Sequence, residues 1–136
     1  RVGDLLRLRG HTRAAIEQFD KALKSTQYLS VEINDRLASA LLEIGEYKRA
    51  TEVLLPIVNL YPFHVPALIK LARSYVELNE IENAVNSLKQ ANSVNPFNPE
   101  IHCMLAEFYQ ELDLPTAAEL ESENCKTSLI MQKMDS

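Results

Sequence analysis

The sequence VPALIKLARSYVELNEIENAVNSLKQANSVNPFN, residues 65–98, is the clearest copy of a unit that recurs along the whole chain. When the chain is shifted against itself by 34 or 35 positions, two series of residues align. One series is Ala15, Ala50, Ala84 and Ala118, and the other is Gly10, Gly45, Asn79 and Asp113. A period of this length is typical of stacked helical units, each of which buries its apolar face against its neighbours.

Apolar residues within this unit recur at intervals of three and four, the spacing of one helix face. The two runs are Leu68, Leu71, Ala72, Tyr75 and Leu78, then Ile81, Ala84, Val85, Leu88, Ala91 and Val94. Asn79 and Glu80 interrupt the pattern between them. The unit is therefore predicted to be a helix, a tight turn and a second helix, which cross at Ala72 and Ala84 because methyl side chains let two backbones approach closely.

At these positions the chain resembles the tetratricopeptide repeat family over nearly its whole length. Equivalent positions carry Val2, Leu37, Leu71 and Leu105 in the first helices, and Phe19, Leu54, Leu88 and Ser122 in the second. The resemblance implies an all-α fold, a right-handed α-solenoid of antiparallel helix pairs with about three and a half to four units. These units would span 1–29, 30–64, 65–98 and 99–132 of a single domain, 1–136.

Turn and cap residues predict where the helices of the first unit begin and end. Residues 1–9 are predicted to be the remainder of a first helix, with a turn at Gly10 and His11 and with Thr12 as the N-cap of the second helix. The segment from Thr26 to Leu29 is predicted to be the connection to the next unit.

In the second unit, Ser30 is the predicted N-cap of a helix that ends at Gly45, where a left-handed conformation is easiest for glycine. The next helix, about 47–60, contains Pro56 and is predicted to bend there, because proline cannot donate a hydrogen bond to the preceding turn. The last helix, about 115–132, is predicted to end the stack with a polar outer surface. The residues of that surface are Glu119, Ser122, Glu123 and Lys126.

Composition excludes several classes of partner. The net charge is −5, and no long basic run is present, which argues against a nucleic-acid surface or an anionic membrane surface. No apolar run approaches the roughly 20 residues that span a bilayer. The chain opens at Arg1, inside a predicted helix, so we expect it to be a piece of a longer protein, and location is left open.

No constellation of residues predicts catalysis or a cofactor. His11, His64 and His102 are isolated, and the chain has no glycine-rich phosphate loop. Cys103 and Cys125 lack metal-ligand spacing and are expected to be buried free thiols, although a disulfide between them stays open. We therefore predict that the chain is not an enzyme and binds no metal.

The resemblance implies that the first helices line a concave groove that holds a peptide or a partner helix. The residues predicted to bind there are Arg36, Ile69, Lys70, Arg73, Val76, Met104 and Glu107. Arg36, Lys70 and Arg73 form a small basic centre with acidic flanks, and the apolar members are expected to be exposed. This mixture favours a partner segment with an apolar anchor and a carboxylate.

One family subtype binds the C-terminal carboxylate of a chaperone through five residues that lie along three successive first helices. In order, these are a Lys, two Asn, a second Lys and an Arg. Those places hold Asp35, Ser39, Lys70, Glu100 and Met104 here, or Asp4, Arg36, Pro66 and Lys70 when the alignment starts one unit earlier. Neither set matches, so the sequence disfavours this partner.

The sequence thus favours a non-catalytic module that binds a protein or peptide, as a monomer. An alternative is a docking or regulatory segment of a larger enzyme whose catalytic domain lies N-terminal to it. Helical-repeat RNA recognition has a similar period, but the acidic balance of the chain disfavours it.

Overall fold

The computed structural model describes residues 2–24 and 30–135, with side chains from residue 10 onward. Within these ranges it contains α-helices and no strand, as the predicted all-α fold requires. The helices are α1 (Val2–Lys24), α2 (Val31–Glu43), α3 (Tyr47–Leu60), α4 (Val65–Glu77), α5 (Ile81–Val94), α6 (Pro99–Glu111) and α7 (Pro115–Met134). The predicted connection from Thr26 to Leu29 lies outside the described residues.

The helices pack mainly on their neighbours in the chain. The antiparallel pairs are α2 with α3, α4 with α5, and α6 with α7, and successive pairs meet where α3 contacts α4 and α5 contacts α6. The first helices of the second and third units, α2 and α4, also contact each other directly. This repeated packing of helix pairs is that of an α-solenoid, as predicted.

The turns within the three later units share one backbone geometry. Gly45, Asn79 and Asp113, at the aligned position, all have positive φ, of 80°, 62° and 58°. The amide after each of them donates to the carbonyl five residues back: Glu46 to Leu41 at 2.9 Å, Glu80 to Tyr75 at 2.8 Å, and Leu114 to Tyr109 at 2.9 Å. A left-handed residue together with a hydrogen bond that reaches five residues back is the Schellman motif, which satisfies the last carbonyls of a helix.

The first helices of the later units begin at side-chain caps. The Ser30 hydroxyl accepts a hydrogen bond from the amide of Ile33 at 3.2 Å, which confirms the predicted cap. His64 and Asn98 cap α4 and α6 in the same way. The imidazole of His64 therefore has a structural role at a helix start.

The predicted turn at Gly10 and His11 is wrong. Both residues lie inside α1, which runs without interruption from Val2 to Lys24. Thr12 is consequently not an N-cap, and its hydroxyl instead donates to a carboxylate oxygen of Glu43 at 3.2 Å. A glycine inside a helix costs only about 1 kcal/mol relative to alanine, so Gly10 permits a turn without enforcing one.

The continuous α1 leaves the first unit without a folded helix pair. Ala50, Ala84 and Ala118 are buried, at 0%, 0% and 3% exposure, and each belongs to a second helix that packs on the first helix of its own unit. Ala15, at the same repeat position, is only half-buried. The repeat pattern therefore leads to the same packing in three units and not in the first.

The cores of the later units match the predicted apolar pattern. Ala72 and Ala84 are fully buried at the crossing of α4 and α5, as predicted, and Leu71 and Leu88 are buried near them. Pro56 lies exposed inside α3, within the predicted helix.

The two cysteines are not free thiols. Cys103 of α6 and Cys125 of α7 are joined by a disulfide, with Cα atoms 4.9 Å apart. The expectation of buried free thiols is wrong because the turn between the two helices brings residues 22 positions apart to facing sides of the pair.

The outer surface of α7 is polar only in part. Glu119, Glu123 and Lys126 are exposed, as predicted, but Leu120 and Ile130 are also exposed, at 62% and 60%. The prediction missed them because, in the described part of the chain, α7 packs mainly on α6, so side chains that point away from α6 are left in solvent.

Candidate protein-binding cleft

A cleft of about 590 Å³, which we call the inner cleft, is lined by the first helices α2, α4 and α6 and by Tyr47 at the start of α3. Its lining residues are Ser39, Leu42, Glu43, Tyr47, Lys70, Arg73, Val76, Glu77, Met104, Glu107 and Phe108. Short turns and buried helix crossings hold these helices side by side, so the lining side chains come from three units.

Five of the seven residues predicted to bind a partner lie in this cleft: Lys70, Arg73, Val76, Met104 and Glu107. Ile69 does not, because it is buried in the core with 6% exposure. The expectation that Ile69 is exposed is wrong, since the step of about 100° per residue from Lys70 turns it into the stack.

Arg36 also lies outside the inner cleft. It is exposed, pairs with Glu32 on the same helix at 2.9 Å, and lines a separate hollow between α1 and α2. The structure thus separates Arg36 from Lys70 and Arg73, although all three were grouped by the repeat register.

The predicted basic centre is already paired with carboxylates. Lys70 Nζ lies 2.6 Å from Asp35 Oδ1, and these side chains are only 20% and 28% exposed. Arg73 forms an ion pair with Glu100. Lys70 and Arg73 therefore link neighbouring first helices, and a partner carboxylate would have to compete with Asp35 and Glu100.

The sequence prediction missed Glu43, Tyr47, Glu77 and Phe108 as lining residues. Glu43 and Glu77 are the last residues of α2 and α4, and Glu111 is the last residue of α6. The spacing of 34 between these glutamates was visible in the sequence, and it is the signal that could have found them.

His102 belongs to the core and not to the cleft. Its Nδ1 lies 2.6 Å from Glu121 Oε2, and its Nε2 lies 2.6 Å from the carbonyl oxygen of Pro96. Burial lowers the pKa of His102, but the hydrogen bonds to Pro96 and Glu121 and the charge of Glu121 outweigh it and raise the pKa above its usual value.

Within the described part of the chain, no group of three or more His, Cys, Asp or Glu residues is arranged to hold a metal ion. None of the helices described is both long enough and apolar enough to span a bilayer.

An all-α stack of helix pairs around a cleft is the architecture of a helical-repeat protein. A tetratricopeptide repeat model matches residues 3–63, and a TPR repeat model matches residues 72–113. Together they cover most of the chain, and the chain belongs to the tetratricopeptide repeat family.

Several solved structures share this fold. A MamA RS-1 double mutant is 24% identical, with a TM-score of 0.85 over 90% of this chain and 68% of its own. A structure of MamA from Desulfovibrio magneticus RS-1 is 22% identical, with a TM-score of 0.77 over 92% of this chain and 68% of its own. Another MamA crystal structure is 21% identical, with a TM-score of 0.85 over 98% and 81%. The likeness extends to the arrangement of helices, and the repeat family supports a role as a protein-interaction scaffold.

Proposed function

We propose that this chain is a non-catalytic module that binds a peptide or helix of another protein in the inner cleft. The observation that carries this proposal is the mixed lining of the cleft. Val76 and Met104 remain partly accessible beside charged side chains, on a surface shared by three units. Apolar side chains left open at the centre of a charged rim are typical of protein-binding surfaces.

The apolar part of the cleft is expected to supply most of the affinity. Met104 is a flexible side chain that can adapt to an apolar anchor, and burying that anchor removes apolar area from water. The charged residues around it would set the register of the partner and the association rate.

The test is capture of the native partner by the 136-residue chain and by two single variants. Met104→Glu places a charge at the centre of the cleft and should abolish capture. Leu120→Glu makes the same kind of change at an exposed residue of α7, away from the cleft, and should leave capture intact.

Circular dichroism must show that both variants remain folded. If Met104→Glu retains the partner at full strength, the inner cleft is not the binding site. Capture lost only with Leu120→Glu would instead assign binding to the surface of α7.

We also propose that the chain is monomeric. Glu119, Glu123 and Lys126 are exposed charged residues on α7, in the same stretch of the helix as the exposed Leu120 and Ile130, so a dimer that covered this apolar surface would also have to desolvate these charges. Light scattering should give the mass of one chain. A dimer that Lys126→Glu dissociates would contradict this proposal.

A further inference from the structure

The charges of the inner cleft determine which partner chemistry it fits. Helices α2, α4 and α6 together carry seven acidic residues and three basic ones. All three basic residues are engaged: Arg36 with Glu32, Lys70 with Asp35, and Arg73 with Glu100. What remains on these helices is an excess of negative charge.

Three of the remaining carboxylates line the cleft itself: Glu43, Glu77 and Glu107. All three are exposed, and among the described residues none of them forms an ion pair with a cation. Glu43 accepts a hydrogen bond from the hydroxyl of Thr12, a neutral group that does not compensate its charge. The cleft therefore presents these three exposed carboxylates beside an apolar floor.

Two of these glutamates stand where they oppose local helix stability. Glu43 and Glu77 are the last residues of α2 and α4, and neither helix has a basic residue in its last turn. Glu111 repeats this arrangement at the end of α6. The C-terminal end of a helix carries partial negative charge and favours cations, so each carboxylate is unfavourable there. Glu43 and Glu77 break this local rule where they line the inner cleft, which points to binding, whereas Glu111 lies outside the lining of the cleft.

The geometry points to a partner of one kind, and this inference rests on the proposed function. We propose that the inner cleft binds a protein segment in which an apolar side chain is flanked by lysine or arginine. The apolar side chain would lie against Val76 and Met104, and the flanking cations would pair with Glu43, Glu77 and Glu107. This replaces the partner carboxylate expected from the sequence, because Asp35 and Glu100 already occupy Lys70 and Arg73.

The probe is a library of short random peptides displayed on phage and selected on the 136-residue chain. Selected peptides should be rich in lysine or arginine beside a large apolar residue, and they should lose binding to Met104→Glu. Their affinity should weaken roughly threefold to tenfold in the double variant Glu43→Gln/Glu77→Gln at low salt, with a smaller difference at high salt.

The matched control is Glu52→Gln/Glu119→Gln, which removes the same charge from exposed positions on second helices. It should bind the peptides as tightly as the unchanged chain. The cleft variant should also melt no lower than the unchanged chain, since it relieves two unfavourable helix ends. Weaker binding without loss of stability distinguishes a binding role from a structural one.

Two results would overturn the inference. One of them refutes only the basic partner, and the other also refutes the proposed function. Peptides that depend on Met104 but carry acidic residues, or that bind the Glu43→Gln/Glu77→Gln variant as tightly, would refute the basic partner and leave the cleft as the binding site. Selected peptides that are indifferent to Met104→Glu would refute the proposed function as well.

Discussion

At the scale of single residues, the aligned turn position takes two different conformations. Gly45 has positive φ, whereas Gly10 lies within a helix, and an added Cβ at Gly10 would meet nothing within 4 Å. The same substitution should therefore have opposite effects at the two glycines.

We expect Gly10→Ala to raise the free energy of unfolding by about 1 kcal/mol, because alanine is the better helix former. Gly45→Ala should lower it by roughly 1–2 kcal/mol, because alanine is strained at positive φ. Urea denaturation measures both. Destabilisation by Gly10→Ala would show that residue 10 forms a turn in solution.

His102 predicts a dependence of stability on pH. Its pKa in the folded chain is raised above the unfolded value of about 6.5, so the charged imidazole stabilises the fold. This contribution is fully present below the unfolded pKa and is lost as pH rises through the folded pKa.

The free energy of unfolding should therefore decrease as pH rises from about 6.5 through the raised pKa of folded His102. In His102→Gln this decrease should disappear, because glutamine does not titrate. A variant with the same pH profile as the unchanged chain would show that the hydrogen bonds to Glu121 and Pro96 do not favour the imidazolium.

At the scale of secondary-structure elements, the disulfide joins α6 to α7 at the end of the stack. It closes a loop across 22 positions, and such a crosslink restricts the unfolded chain. Reduction should lower the free energy of unfolding by roughly 3 kcal/mol.

The double variant Cys103→Ser/Cys125→Ser should show the same loss and should no longer respond to reductant. Thermal melting with and without reductant measures both effects. If the melting temperature of the unchanged chain is insensitive to reductant, the two thiols are not joined in solution.

At the scale of the whole molecule, stability depends on contacts between neighbouring helices. Helices α4 and α5 are packed from both sides, by α3 and α6, whereas α1 packs mainly on α2 and reaches α3 through the ion pair of Asp20 with Arg49. Amides of α4 and α5 should therefore exchange with deuterium most slowly, and those of α1 fastest. Uniform protection along the chain would indicate a single cooperative unit instead.

The sequence alone determined the repeat, the fold class and most of the helix boundaries. Its 34-residue period places alanines at helix crossings and turn formers between helices, and Ala72, Ala84, Ser30 and Gly45 all lie in the predicted roles. These features depend on local periodicity and on the preferences of single residues, which the sequence records directly.

Only the tertiary structure decided which side chains meet. It joined Cys103 to Cys125, paired Lys70 with Asp35, buried Ile69 and kept α1 continuous through Gly10. Each outcome depends on the distance or rotation between different helices, or on whether a permissive glycine bends. A repeat pattern gives the position of a residue on its own helix. Which charged side chains of the cleft form ion pairs depends on how the helices pack against each other.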